Sequence, residues 1–177
     1  MLKIVVNNEE HIKKFERITW KGGINGTSRT LEVRYLDDNT IAKLGDKVEF
    51  YVDEDKLFTG KVFSVEVTGQ SQIKTFSCFD NSIYLNKNYF VKNFNKKKPS
   101  QILKEICGEL KLEVGNIPED KVDCTYPAIG RSGYQIILNA YTIQHRKDKK
   151  IYSIVSNDGK IEVVEQGSLA DVMLNSE

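Results

Sequence analysis

Leu31-Glu32-Val33-Arg34-Tyr35, Val48-Glu49-Phe50-Tyr51-Val52 and Phe63-Ser64-Val65-Glu66-Val67-Thr68 decide the fold class, because in each an apolar side chain falls at every second position. A strand points successive side chains to opposite faces, so this alternation buries one face and wets the other, the habit of antiparallel sheets. Outward from these runs, Gly22-Gly23, Asn25-Gly26, Asp37-Asp38-Asn39, Gly45-Asp46, Asp53-Glu54-Asp55 and Gly69-Gln70 read as turns. Gly, Asn and Asp accept positive φ or bond their own backbone there. From Leu2 to about Leu85 the pattern predicts about six strands in a meander with short connections, a small barrel or sandwich.

After Asn88 the grammar changes. Pro99 and Ser100 follow the basic run Lys96-Lys97-Lys98 and open a segment whose Ile102, Leu103, Ile106, Cys107 and Leu110 share one helical face. Gly115 to Gly130, with Pro118 and Pro127, reads as a loop or extended connection. A second helix begins at Ser132, which has capping-box spacing to Gln135, and turns Tyr134, Ile137, Leu138 and Tyr141 inward. It ends at Arg146-Lys147-Asp148-Lys149-Lys150, where positive charge complements the negative helix end. Ile151 to Val155 and Lys160 to Val164 flank Asn157-Asp158-Gly159, a hairpin corner. The expected order is strands, helix, helix, hairpin. The fold class is α+β, mainly antiparallel β: a small barrel over residues 1–88, a helix-helix-hairpin unit over 89–166, and the start of a further segment over 167–177.

The 177 residues suffice for one large or two small domains. Lys plus Arg number 26 against 25 Asp plus Glu, so no global field recruits nucleic acid or an acidic membrane. Neither a signal-peptide core nor an apolar run of the roughly 20 residues a membrane span needs is legible. Cys78, Cys107 and Cys124 form an odd set without CxxC spacing, which suits three reduced thiols rather than a disulfide framework or zinc site.

Catalytic chemistry is sparse. No phosphate-binding glycine loop occurs, and Gly22 to Gly26 lacks the lysine and helix such a loop requires. Cys107 lies on a buried helical stripe and Cys78 between Phe76 and Phe79, while Cys124 sits in a polar stretch and is the one thiol to weigh with His145 or His11 for a Cys-His pair. The carboxylate pairs Asp37-Asp38 and Glu119-Asp120 fall at turns, where solvation explains them without glycosidase chemistry. Lys96 to Lys98 beside Phe90 and Phe94 imitates a nucleic-acid patch but reads better as a solvated loop. Trp20, Tyr84, Tyr89, Phe90 and Phe94 are the candidates for an exposed contact surface. No catalytic, cofactor-binding or metal-ligating residue and no cofactor is assigned.

Six pieces of sequence, taken in order, resemble the XkdQ/YqbQ family of tail proteins from phage-like elements such as the PBSX prophage. They are Ile18-Thr19-Trp20-Lys21-Gly22 with Ser28-Arg29-Thr30-Leu31-Glu32-Val33; Gly45-Asp46-Lys47-Val48 with Leu57 to Phe63; Phe79-Asp80-Asn81-Ser82 to Asn88; Pro99 to Cys107; Tyr134 to Thr142; and Lys150-Ile151-Tyr152. The resemblance implies a baseplate hub, related in fold to the central baseplate protein of contractile phages and to the base of the type VI secretion spike. Such hubs form trimeric rings that join tail tube to spike, so tube, spike and tape-measure proteins are the implied partners, with no nucleic acid and no membrane. The implied location is the bacterial cytoplasm during assembly and then the particle's baseplate. The family carries no catalytic residues. Its members run past the hairpin into a second barrel-like half, so Glu177 is expected to be an early end and this chain by itself a monomer. A tail-associated peptidoglycan hydrolase and a cell-wall sugar-binding module are the alternatives, resting on Cys124 with His145 and on Trp20 with the tyrosines.

Overall fold

The structure is a computed structural model that describes residues 2–11, 15–22, 28–36, 41–67 and 73–167. Seven strands build the N-terminal part: β1 (Leu2–Val6), β2 (Glu9–His11), β3 (Phe15–Lys21), β4 (Thr30–Leu36), β5 (Lys47–Val52), β6 (Asp55–Val67) and β7 (Ile73–Phe79). All pair antiparallel, in the order β2-β1-β5-β6-β7-β4-β3. The order corrects the expected meander: β4 lies beside β7 and β1 beside β5, which brings Ile4 and Val6 opposite Phe50 and Val48. The ladder is also open, with no pairing between β2 and β3 among the described residues, so the barrel reading stands unclosed. Only four Cα steps separate His11 from Phe15, about 15 Å of reach, so the chain itself holds the two edges near each other and the sheet must curl.

The alternation of β4 and β5 is as read: Leu31, Val33, Tyr35, Val48 and Phe50 are buried. In β6 it fails. Ahead of a register shift between Val62 and Ser64 the even-numbered Phe58 and Val62 are buried, which puts Phe63, expected inside, on the exposed side; beyond the shift Val65 packs against the core as expected, and Val67 at the strand end is exposed. Phe63 packs instead on the outer side, edge-on to Phe79 with ring centroids 5.2 Å apart and 6.2 Å from Tyr84. The turns expected at Gly23, Asn25-Gly26, Asp37-Asp38-Asn39 and Gly69-Gln70 lie outside the described residues, as does the segment after Gly167.

The second half holds three helices, α1 (Ser82–Lys87), α2 (Pro99–Glu109) and α3 (Gly133–Asp148), with strands β8 (Tyr89–Lys97), β9 (Cys124–Ser132), β10 (Tyr152–Asn157) and β11 (Lys160–Glu165). The expected order of helix, helix, hairpin therefore omitted α1 and the antiparallel β8–β9 ribbon, which replaces both the lysine loop and half of the connection between Gly115 and Gly130. β8 hid because its inward face is not uniformly apolar: Phe90 and Phe94 alternate with Lys92. The helices match the sequence more closely. Ile102, Leu103, Ile106 and Cys107 of α2 are fully buried, and Ser132 caps α3 by accepting from Gln135 N at 3.2 Å while Gln135 Oε1 accepts from Ser132 N at 3.1 Å. Leu138, expected inward, is exposed, and Ile136, Ala140 and Gln144 take the inner stripe with Ile137 and Tyr141.

Two buried clusters result, one of sheet residues from Ile4 to Cys78 and one from Leu85 to Val163. Fully buried Gln144 ties the second together: its Oε1 accepts from Lys121 N, and its Nε2 donates to the Glu119 carbonyl and to the Tyr152 hydroxyl, each at 3.0 Å. A buried amide is tolerated only when its donors and acceptor are used in this way. The corner of the β10–β11 hairpin reaches the sheet, with Lys56 Nζ 2.8 Å from Asp158 Oδ1 and Asn81 Nδ2 donating to the Gly159 carbonyl.

Candidate interaction surfaces

The β8–β9 ribbon presents Phe90, Lys92 and Phe94, with Tyr126 and Ala128, to the helices. Lys92 and Lys97 reach from it to α2: Lys92 pairs with Glu105 at 3.0 Å and with Glu109, and Lys97 with Glu105. The lysine run expected as a solvated loop is thus strand plus helix start, with Lys98 N donating to Gln101 Oε1 at 3.0 Å. Alternation then leaves Tyr89, Val91, Pro127 and Ile129 facing away from the core. Val91 and Ile129 are directly opposed and 77% and 73% exposed, and Tyr89 beside them is 68% exposed. Gly130, at φ +60, occupies the extra position of the bulge that sets this pairing, a conformation costly for other residues. Single exposed apolar side chains are ordinary, but a cross-strand pair with a tyrosine alongside is a contiguous patch on a braced element.

A second surface lies where the sheet meets the hairpin. Trp20 ends β3, half-exposed, and the Arg29 guanidinium lies over its ring with Cζ 5.7 Å from the centroid. Arg29 is positioned by Asp80: Arg29 N donates to Asp80 Oδ2 and Asp80 N to the Arg29 carbonyl, both at 3.1 Å. Asp80 also accepts from Ser82 N at 3.0 Å and from the Ser82 hydroxyl. Burial raises the Asp80 carboxyl above its ordinary range, and these hydrogen bonds oppose the rise in part. These residues and Ser153 to Ser156 of β10 line an open cleft of about 740 Å³, with an adjoining lobe of about 350 Å³ against Lys56 and Asp158.

The catalytic alternatives do not assemble. Cys124, read in a polar setting, is buried with its Sγ 3.8 Å from the Ala140 carbonyl, and burial followed by the charges of Asp120 and Asp123 pushes its thiol up to about 11. Desolvation pushes Cys78 and Cys107 up to about 12. His145 donates Nδ1–H to the Lys150 carbonyl at 2.9 Å, closing the end of α3. Asp120 accepts from Ser100 N and Oγ at 2.9 and 2.5 Å and so caps α2, whereas Glu119 is exposed and pairs with Lys121. Asp37 and Asp38 lie outside the described residues. No group of three or more His, Cys, Asp or Glu gathers as a metal site, and no helix is long and apolar enough to cross a membrane, both among the described residues. Of the aromatic candidates, Tyr89 and Trp20 are exposed while Phe94 is fully buried. Arg29, Asp80, Val91 and Ile129 were not singled out from the sequence. Alternation could have found Val91 and Ile129 once β8 and β9 were seen as paired, but nothing local joins Arg29 to Asp80, 51 positions away.

The model of the YQBQ-like family matches residues 18–177. The chain belongs to this family. That is the family its sequence resembles, and two of the six pieces carrying the resemblance bring Trp20, Arg29 and Asp80 to one cleft. None of the curated proteins compared with the chain matches it. Among solved structures, the 43 kDa tail protein of prophage MuSo2 from Shewanella oneidensis superposes with TM-score 0.72 at 12% identity, covering 92% of this chain and 52% of its own. A tail protein from Neisseria meningitidis MC58 gives TM-score 0.72 at 14% identity over 92% and 50%. Prophage tail protein gp18 from Listeria monocytogenes EGD-e gives 0.50 at 9% identity over 92% and 49%. This YQBQ-like chain shares their fold and spans about half their length.

Proposed function

We propose that this YQBQ-like chain is a structural component of the baseplate hub of a contractile phage tail or tail-like particle, joining tail tube to spike through protein–protein contacts and catalysing nothing. Its division into a curled-sheet unit over 1–88 and an α+β unit over 89–166 belongs to the same reading, as does a homotrimer for the longer protein and a monomer for this chain alone. The observation that carries it is the fold shared over 92% of the chain with two solved tail proteins, one of them a prophage protein. The Tyr89, Val91 and Ile129 face supports it, since a hub acts by burying complementary surface. Tube, spike and tape-measure proteins are the partners of such a part, which is made in the host cytoplasm and resides in the baseplate. The hydrolase alternative draws no support from Cys124, whose buried, protonated thiol is a poor nucleophile.

Light scattering across a concentration series tests the reading on this chain and on a longer one that continues past Glu177. Three times the monomer mass is expected for the longer chain and one for this chain. Val91→Glu with Ile129→Glu should lower the longer chain's mass while changing the monomer's stability by less than about 0.5 kcal/mol, as at exposed sites. A monomer at every concentration for both lengths would sink the ring-forming hub.

A further inference from the structure

Among the described residues, the β10–β11 hairpin has one edge that is covered and one without backbone partners. Asn157 pairs with Lys160 across the two-residue corner Asp158-Gly159, and bonded and non-bonded pairs alternate from there. Val155 and Ser153 therefore bond to β11, while Ile154 and Ser156 turn their N–H and C=O groups to the other side. The same alternation turns Ile161 and Val163 of β11 outward, and there they are paired. Ile161 N donates to the Glu113 carbonyl at 2.8 Å, Gly115 N to the Ile161 carbonyl at 2.9 Å, and Val163 N to the Asn116 carbonyl at 3.1 Å. Gly115 permits this approach, since a Cβ there would fall 2.3 Å from Glu162 Oε1. No such segment lies along β10: the backbone groups of Ile154 and Ser156 have no backbone partner among the described residues, and Ser156 Oγ is withdrawn from solvent without one. Both residues line the Trp20 cleft.

The opposite wall carries the Arg29 guanidinium, which the Asp80 carboxyl attracts at longer range without a salt bridge. Arg29 makes no ion pair among the described residues, because the nearby Asp80 carboxylate is taken by Arg29's own backbone N–H and by Ser82. A guanidinium stacked on indole keeps its edge donors free for a carboxylate. The two lobes, about 740 and 350 Å³, share Trp20, Arg29, Asp80 and Ser156, which makes one elongated trough rather than a pocket fitted to one small molecule.

We propose that this cleft binds an extended acidic peptide segment of a partner protein, whose backbone pairs with the open edge of β10 and whose carboxylate meets Arg29 on Trp20. This is strand addition, in which the main chain supplies affinity and the arginine supplies register and selectivity. The site is separate from the Tyr89 face and does not depend on the hub reading.

Trp20 is the chain's single tryptophan and reports directly on the site. The probe is an acetylated and amidated hexapeptide of alternating Glu and Val, compared with its Gln and Val counterpart, free glutamate and a chitooligosaccharide. A saturable fluorescence change with the Glu peptide is expected, weakened about tenfold or more by Gln in the peptide or by Arg29→Gln, as for loss of a charge-assisted hydrogen bond. Amide ¹⁵N–¹H signals of Ile154 and Ser156 should shift on binding. If Arg29→Gln fails to fold, Arg29→Lys, which keeps the charge without the planar fork, should still weaken binding severalfold. Equal binding of the two peptides, or binding unchanged in the arginine variant that folds, overturns the proposal. So do saturation by free glutamate at the same concentration, saturation by the oligosaccharide with the peptides silent, and no response to any probe.

Discussion

Glu49 illustrates how a partly exposed carboxylate is tuned by its neighbours. Burial alone would raise its pKa, but hydrogen bonds with Lys47, Tyr51 and Lys56 hold it at about 2 against an ordinary 4.5. A depressed folded-state pKa contributes stability above about pH 4.5 that is lost as pH falls toward 2. Glu49→Gln should therefore cost about 1 kcal/mol at pH 7 and flatten the loss of stability on acidification, measured by urea denaturation between pH 7 and 3. The cysteines behave in the opposite sense. Their raised pKa values favour the folded state until the unfolded chain's thiols ionise near pH 9, and that contribution fades up to about 11 for Cys124 and 12 for Cys78 and Cys107. The folded protein should resist iodoacetamide at pH 8 while the unfolded chain is labelled at all three thiols, as mass spectrometry would show. Labelling of Cys124 at the unfolded rate would contradict its placement beneath α3.

At the scale of elements, the two ends of α3 make opposed predictions. Ser132 and Gln135 satisfy each other's backbone N–H groups at its start, so Ser132→Ala should cost about 1 kcal/mol. At its end Lys149 sits in the left-handed region at φ 64, where a Cβ is disfavoured. Lys149→Gly should therefore raise stability, by up to about 1 kcal/mol, despite losing the bond from its Nζ to the Arg146 carbonyl; denaturant midpoints decide the sign. These helices were legible because their signals are local: a cap, an apolar stripe, a basic end. The β8–β9 ribbon was not, since Lys92 and Lys97 interrupt its inward face in order to pair with carboxylates of α2, and those partners belong to another element. The bulge in β6 misled the reading of Phe63 for a related reason. Phe58 and Val62 face the core before the extra residue and Val65 after it, and only the partner strand reveals where the face changes.

Across the whole molecule, Asp80 joins the end of β7 to the start of β4 and to α1, next to the seam between the two buried clusters. Asp80→Ala would strand the N–H groups of Arg29 and Ser82 away from solvent and should cost about 2 kcal/mol or more, seen as a lowered denaturation midpoint. It should also release Arg29 from Trp20 and shift the tryptophan emission. The same residue separates what each level of description decides. The alternating runs, the capping box, the basic helix end and the Asp158-Gly159 corner belong to the sequence alone, because each rests on forces between residues a few positions apart. Strand order, the flipped face of β6, the exposed Val91 and Ile129 pair and the meeting of Trp20, Arg29 and Asp80 belong to the tertiary structure. They depend on which distant strands share a ladder and which buried groups must find partners there, and a chain read one neighbourhood at a time carries neither.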